Sequence, residues 1–317
     1  MNGALILNKH EGVSSFGIIE TLQRHLMEKE GIRKKDLPKL GHGGTLDPFA
    51  TGTLVVLVGN AVKLARYFLG ATKSYRGVIR FGETSIPGDP TGPISETSPH
   101  LPQSLEQLQD LAHRLTLQAY LQTPPMHSAK KQNGKPLYEL ARAGIEVERT
   151  PKLCHLYEFE IIRYEAPLAH FSVKCSSGTY IRTLAQDFGK MISSVALLQS
   201  LHRTSSGVFH ADDSWTVDRV GIESHAGKPW DQLPCWIPFH QLLNGYPRAE
   251  ATPAERDSLI QGQQKTLVAI LQKAASPDLK SSEKEDCLAI YTQDVLVAVA
   301  RKENEAWTIE RVFPGQR

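Results

Sequence analysis

The segment Gly41-His42-Gly43-Gly44-Thr45-Leu46-Asp47-Pro48 sets one carboxylate on a glycine-rich turn that runs through Ala50-Thr51-Gly52 into the apolar stretch 54–58. An ionised carboxylate can add to an electrophilic carbon or remove a proton. Taken alone, an Asp between glycines and a proline is also an ordinary turn former. No Gly-Lys-Ser/Thr follows and the spacing of a dinucleotide fingerprint is absent, so the loop does not read as a nucleotide cradle. Three later segments carry further reactive or charged groups: Lys73-Ser74-Tyr75-Arg76, Pro124-Pro125-Met126-His127-Ser128-Ala129-Lys130 and Ser177-Gly178-Thr179-Tyr180-Ile181-Arg182. On their own, Tyr75 reads as a core tyrosine of a strand, Arg182 as the first-turn residue of a helix, and His42 as a hydrogen-bonded loop histidine. Lys63, Lys130 and the cluster Arg33-Lys34-Lys35 with Lys39 read either as solvated surface or as a basic patch for an anionic partner.

Taken in order, the four segments resemble the motifs of the bacterial tRNA pseudouridine synthase B family. The resemblance covers roughly residues 3–220, and the C-terminal part is similar, more weakly, to the PUA-type RNA-binding module of that family. It implies an isomerase that takes the uridine at position 55 of the tRNA T-arm, cleaves its C1′–N1 bond, turns the detached uracil and rejoins it through C5, with neither cofactor nor metal. The target base is stacked in its loop and has to be extracted. By the same resemblance Asp47 is the essential residue, acting by addition to C1′ or by removal of the C2′ proton, and Arg182 pairs with it and fixes its orientation. Tyr75 packs on the target base and assists loss of the C5 proton, and His42 fills the space left behind. Tyr180, Lys63 and Lys130 contact the substrate. Gly43 stands where the family usually has Thr, and His127 where it has Tyr or Phe; Asp89, in Gly88-Asp89-Pro90-Thr91-Gly92, matches only loosely. No second carboxylate sits in the motifs, unlike a glycosidase. Two other readings are a tRNA-binding or folding factor without activity and a synthase acting on another structured RNA. The joint presence of Asp47, Tyr75 and Arg182 argues for catalysis.

The elements that must hold these residues follow from periodicity. A strand at 4–7 leads into a helix capped by Ser14 or Ser15, with Ile18, Ile19, Leu22 and Leu26 on one face. The β-branched run 54–58 and the alternating stretch 74–81 read as strands. Helices are expected at 61–69, 104–118 and 136–142, a strand pair at 153–164 and 169–176, and a helix from 180 with Arg182 in its first turn. Strands mixed with helices, without regular alternation, predict an α+β catalytic domain on a mixed or antiparallel sheet. A break in composition near 223–250 divides the chain into a catalytic domain at 1–240 and an RNA-binding domain at 241–317. In the latter, 259–262, 266–271, 287–291 and 295–301 read as strands of a small β-barrel around a polar loop at 274–286.

The 317 residues are 40% hydrophobic and 22% charged, a globular composition. With 36 Lys and Arg against 34 Asp and Glu the net charge is only +2, so the basic clusters count for more than the sum. Cys154, Cys175, Cys235 and Cys287 are scattered without ligand spacing, which predicts reduced thiols and no zinc. No leader-like or membrane-spanning stretch is visible, so a cytoplasmic protein acting as a monomer is expected.

Overall fold

Along the first strand successive side chains enter different cores: Ala4 and Ile6 join one buried cluster, Leu5 and Leu7 another. Thr51–Val58 behaves in the same way, with Val55 and Leu57 on one side and Leu54, Val56 and Val58 on the other. Strands covered on both faces read as continuous apolar runs, as these do. The computed structural model describes residues 1–126, 128, 131–132, 134–273, 286–304 and 306–315.

The chain opens with β1 (Gly3–Lys9), α1 (Ser15–Glu30), β2 (Leu40–His42), β3 (Thr51–Val58), α2 (Ala65–Leu69) and β4 (Lys73–Phe81). A small hairpin, β5 (Glu83–Ser85) with β6 (Ile94–Thr97), falls in the stretch 83–103, whose richness in Pro, Gly, Ser and Thr without periodicity reads as a long loop. Then come α3 (Leu105–Thr116), β7 (Tyr120–Gln122), the short pair β8 (Lys131–Gln132) and β9 (Lys135–Pro136), α4 (Leu137–Arg142), β10 (Lys152–Cys154), β11 (Leu156–Glu165), β12 (Leu168–Cys175) and α5 (Ile181–Lys190). After these run β13 (Ala196–Ser206), β14 (Phe209–His210), α6 (Val217–His225), β15 (Trp236–Pro238), β16 (Arg248–Glu250), α7 (Pro253–Ile260), α8 (Gln264–Lys273), β17 (Cys287–Thr292), β18 (Val295–Glu303) and β19 (Ala306–Val312).

The main sheet has the order β11-β12-β4-β13-β3-β1-β15, with β14 beside β13 and β2 beside β3. All its ladders are antiparallel except β13 with β3, where Arg203 pairs with Gly52. That mixed, largely antiparallel sheet matches the expected fold class. The long strand β13, for which no element was read in the sequence, joins the two halves of the sheet by pairing with both β4 and β3. Gly52 makes the parallel crossing possible: its φ is +106°, and a Cβ there would lie 2.3 Å from the Arg203 carbonyl oxygen.

The C-terminal part departs from expectation. Leu259 and Ile260 end helix α7, Gln261 and Gly262 form the turn after it, and residues 266–271 lie in helix α8; none of them is in a strand. Thr252 caps α7 in a reciprocal capping box with Glu255, and Pro253 occupies its first turn. In α8 the side chains Leu267, Ile270 and Leu271 recur at helical spacing and pack on Leu288, Ile290 and Val297. The strands here are β16-β17-β18-β19, an open order, and no ladder closes them into a barrel among the described residues. Most of the polar loop at 274–286 lies outside the described residues. The other face of this sheet is not free: Cys287, Ala289, Tyr291 and Leu296, with Phe313, share a cluster with Ala4, Ile6, Val55 and Leu57 of the main sheet.

Candidate active site

The 43–50 loop between β2 and β3 carries Asp47, and its backbone is tied from four directions. The Ser15 hydroxyl accepts from Leu46 N at 2.8 Å and donates to Leu46 O at 3.1 Å, which leaves Ser14 to cap α1 by accepting from Gly17 N at 2.9 Å. Lys9 Nζ donates to Pro48 O at 3.2 Å, as well as to the carbonyls of His10 at 2.9 Å and Val13 at 2.8 Å. Gly12 N donates to the same Pro48 oxygen at 2.8 Å. From β13, Arg203 donates to Gly44 O at 3.0 Å, Thr45 O at 3.3 Å and Thr53 O at 2.7 Å. Arg203 is 1% exposed, so this guanidinium serves the backbone and not solvent. A turn bond from Ala50 N to Asp47 O at 3.1 Å completes the frame.

The Asp47 carboxylate receives both edges of one guanidinium: Arg182 Nε reaches Oδ2 at 2.8 Å and Nη2 reaches Oδ1 at 3.0 Å. Such fork-to-carboxylate pairing fixes orientation as well as charge. Arg182 is itself anchored through Nη1 to Pro87 O at 2.8 Å, with Asp89 Oδ2 3.7 Å from the same nitrogen. The side chains of Arg182 and Asp89 are 5% and 6% exposed, whereas that of Asp47 is 32% exposed. The pair therefore has a buried cation and an accessible anion.

Helix α5 holds Arg182 because Leu184, Ala185 and Phe188 on its apolar side enter the main core. No side chain caps its N-terminus from Tyr180. Instead Gln122 on β7 grips the Tyr180 backbone, accepting from N at 2.8 Å and donating to O at 2.9 Å.

These groups line a cavity of about 470 Å³ that also takes in Tyr75, Tyr180, Ser128 and Lys152. Tyr75 stands on β4, packed against the same core as α5. Desolvation pushes its phenol up to about 12, with Arg203 acting in the opposite direction, so it carries its proton at neutral pH. Burial also raises the Tyr180 phenol. Behind them Lys73 Nζ donates to the carbonyls of Phe68 at 2.7 Å, Leu69 at 2.9 Å and Ala71 at 2.7 Å, closing the C-terminal end of α2. Burial lowers Lys73 to about 7 and Lys9 to about 8; Asp47 opposes the shift of Lys9. Lys73→Met should cost about 2 kcal/mol, because buried carbonyls lose their charged donor, a loss measurable by urea denaturation. An unchanged midpoint would show that these bonds contribute nothing net.

Of the site residues expected from sequence, Asp47, Tyr75, Tyr180 and Arg182 meet in this cavity. His42 and Lys63 are not in its lining. His42 sits on β2 opposite Val56, its Nδ1 without a hydrogen-bond partner among the described residues, and burial followed by Arg203 lowers its pKa. Lys63 is exposed, with Nζ 5.9 Å from the Phe313 ring centroid, beside the C-terminal sheet. Lys130 and His127 lie outside the described residues. Missed in the sequence were Arg203, Ser15 as a clamp and Gln122, none of which has a local signal. Asp89, matched only loosely, lies buried beside Arg182. Gly43 also has a packing reason, since a Cβ there would lie 2.5 Å from Phe68 Cβ. Gly43→Thr should thus overpack this contact and cost about 2 kcal/mol, read as a lowered Tm. A Tm equal to that of the parent would remove the argument.

The model of the TruB family pseudouridylate synthase N-terminal domain matches residues 29–181. A tRNA pseudouridine synthase B of Bordetella avium is 42% identical over 222 residues, 69% of this chain and 87% of the relative. That of Azoarcus sp. is 36% identical over 264 residues, 83% of each chain. Among solved structures, a chain of a Cbf5-Nop10-Gar1 complex aligns over 98% of this chain and 84% of its own length, with a TM-score of 0.68 and 19% identity, a likeness of fold. The chain belongs to the TruB family of pseudouridylate synthases. It is therefore an isomerase that converts uridine to pseudouridine in RNA.

Proposed function

We propose that this enzyme isomerises uridine 55 in the T-loop of tRNA, with Asp47 as the essential residue. The observation that carries the reading is the bidentate Asp47–Arg182 pair at the cavity mouth, its carboxylate still accessible. Relatives named tRNA pseudouridine synthase B support tRNA as the substrate. A uridine turned out of its stack enters the cavity, whose size suits a single small ligand. Asp47 then either adds to C1′ or removes the C2′ proton, and the C1′–N1 bond breaks. The uracil turns and C1′ joins C5 as the Asp47 carboxylate leaves C1′ or returns the proton to C2′, according to the route; the C5 proton leaves and N1 gains one, so no water is consumed. Tyr75 packs on the base and assists loss of the C5 proton. Tyr180 bounds the pocket. His42 acts outside the cavity, in the space the base vacates, and Lys63 and Lys130 contact RNA phosphates.

The part after residue 240 is proposed as a PUA-type RNA-binding module and the part before it as the catalytic domain. Because the two share a buried cluster, cutting the chain there would lower stability as well as tRNA affinity. A monomer in the cytoplasm is the working state proposed. Among the described residues no helix is long and apolar enough to cross a membrane. The test is release of tritium from uracil C5 of an unmodified tRNA. One label per tRNA should be released, and none when position 55 is cytidine. Release that persists with cytidine 55 would refute the assignment of position.

A further inference from the structure

Four cations line the described cavity, Lys73, Lys152, Arg182 and Arg203, and three of them are committed. Lys73 and Arg203 each serve three backbone oxygens, and Arg182 serves Asp47 and Pro87. Lys152 differs. Its side chain is exposed, it has no carboxylate partner among the described residues, and its one bond is from Nζ to Ser177 O at 2.9 Å.

This ammonium is nonetheless placed with care. Lys152 pairs in register with Gln122 on β7, the residue that grips the Tyr180 backbone at the start of α5. The turn it bonds is itself held: His155 N donates to Ser176 Oγ at 3.0 Å, and Thr179 Oγ1 donates to Ser176 O at 2.9 Å. Gly178 leaves room for it, having a φ of +76° and a position where any Cβ would lie 2.5 Å from Lys152 Nζ. One ladder thus places Lys152 beside Tyr180 and, through α5, near Arg182 and Asp47, and the bond to Ser177 O aims its ammonium at the cavity. An ammonium has three donors, and a single carbonyl uses one.

A nucleotide turned out of an RNA strand brings its flanking phosphodiesters to the cavity mouth, and a cation there with donors to spare is what such an anion recruits. We propose that Lys152 is a positioning residue that holds a backbone phosphate next to the extracted uridine, so that C1′ is presented to Asp47. The proposal rests on the reading of this cavity as the tRNA site.

Binding of unmodified tRNA is measured over a range of KCl concentrations for the full-length enzyme, Lys152→Gln and Lys152→Arg, alongside C5 tritium release and Tm. For Lys152→Gln, log Kd against log salt should become shallower by about 1, the signature of one lost phosphate contact. Affinity should fall several-fold at low salt, and Lys152→Arg should recover both. A Lys152→Gln slope equal to that of the parent overturns the proposal, even if Tm falls, since that combination assigns Lys152 only to holding the 176–179 turn. Failure of the unsubstituted enzyme to release label would instead refute the tRNA reading itself.

Discussion

Asp47→Asn is expected to reduce release of the C5 label by at least about 10³-fold while tRNA continues to bind. Asn has the same shape and still offers an oxygen to Arg182, whose other contacts, to Pro87 O and Asp89, are untouched. The fold has no reason to fail. What disappears is the charge, and with it both possible first steps, because an amide neither adds readily to C1′ nor takes up the C2′ proton. Single-turnover assays with excess enzyme separate this from weakened binding. A variant within tenfold of the parent would mean that another group starts the reaction.

The second large effect is expected at Arg182. Arg182→Met removes both donors to Asp47 and leaves Asp89, almost wholly buried, without its neighbouring cation. Breaking a buried charge arrangement from one side costs about 3 kcal/mol or more, here read as a shift of the urea midpoint, and activity should fall at least about 100-fold. Arg182→Lys separates the two consequences. An ammonium restores charge beside Asp89 but cannot present the two-pronged edge to Asp47, so stability should largely return while the rate stays low. Full activity in the lysine variant would show that only charge, and not the fork, is required.

The elements that carry this site were legible along the chain because they sit where local rules are strong, whereas the roles of their side chains were implied by the family resemblance. Asp47 lies on a turn written in glycines and a proline, Tyr75 on a strand of period two, and Arg182 in the first turn of an amphipathic helix. The C-terminal helices could also have been read, from Thr252-Pro253-Ala254-Glu255 and from the spacing of Leu267, Ile270 and Leu271. The short apolar runs drew that region toward strands, since periodicity over so few residues does not separate the two.

The sequence by itself therefore determined the α+β class and the turns, strand and helix start that carry the reactive segments, because turns, caps and periodicities are decided by neighbours within a few residues; the kind of chemistry was implied by the resemblance of those segments to a family. Tertiary structure alone decided how the Asp47 loop is held and what the cavity contains. Arg203 reaches Gly44 and Thr53 across some 150 residues of chain, and Gln122 reaches Tyr180 across 58. It also kept His42 and Lys63 out of the cavity lining and brought Asp89 to Arg182 and Lys152 to the mouth. Contacts of that kind leave no periodic trace, since they arise from the order in which strands join the sheet. The unread strand β13, which bridges β4 and β3, sets that order.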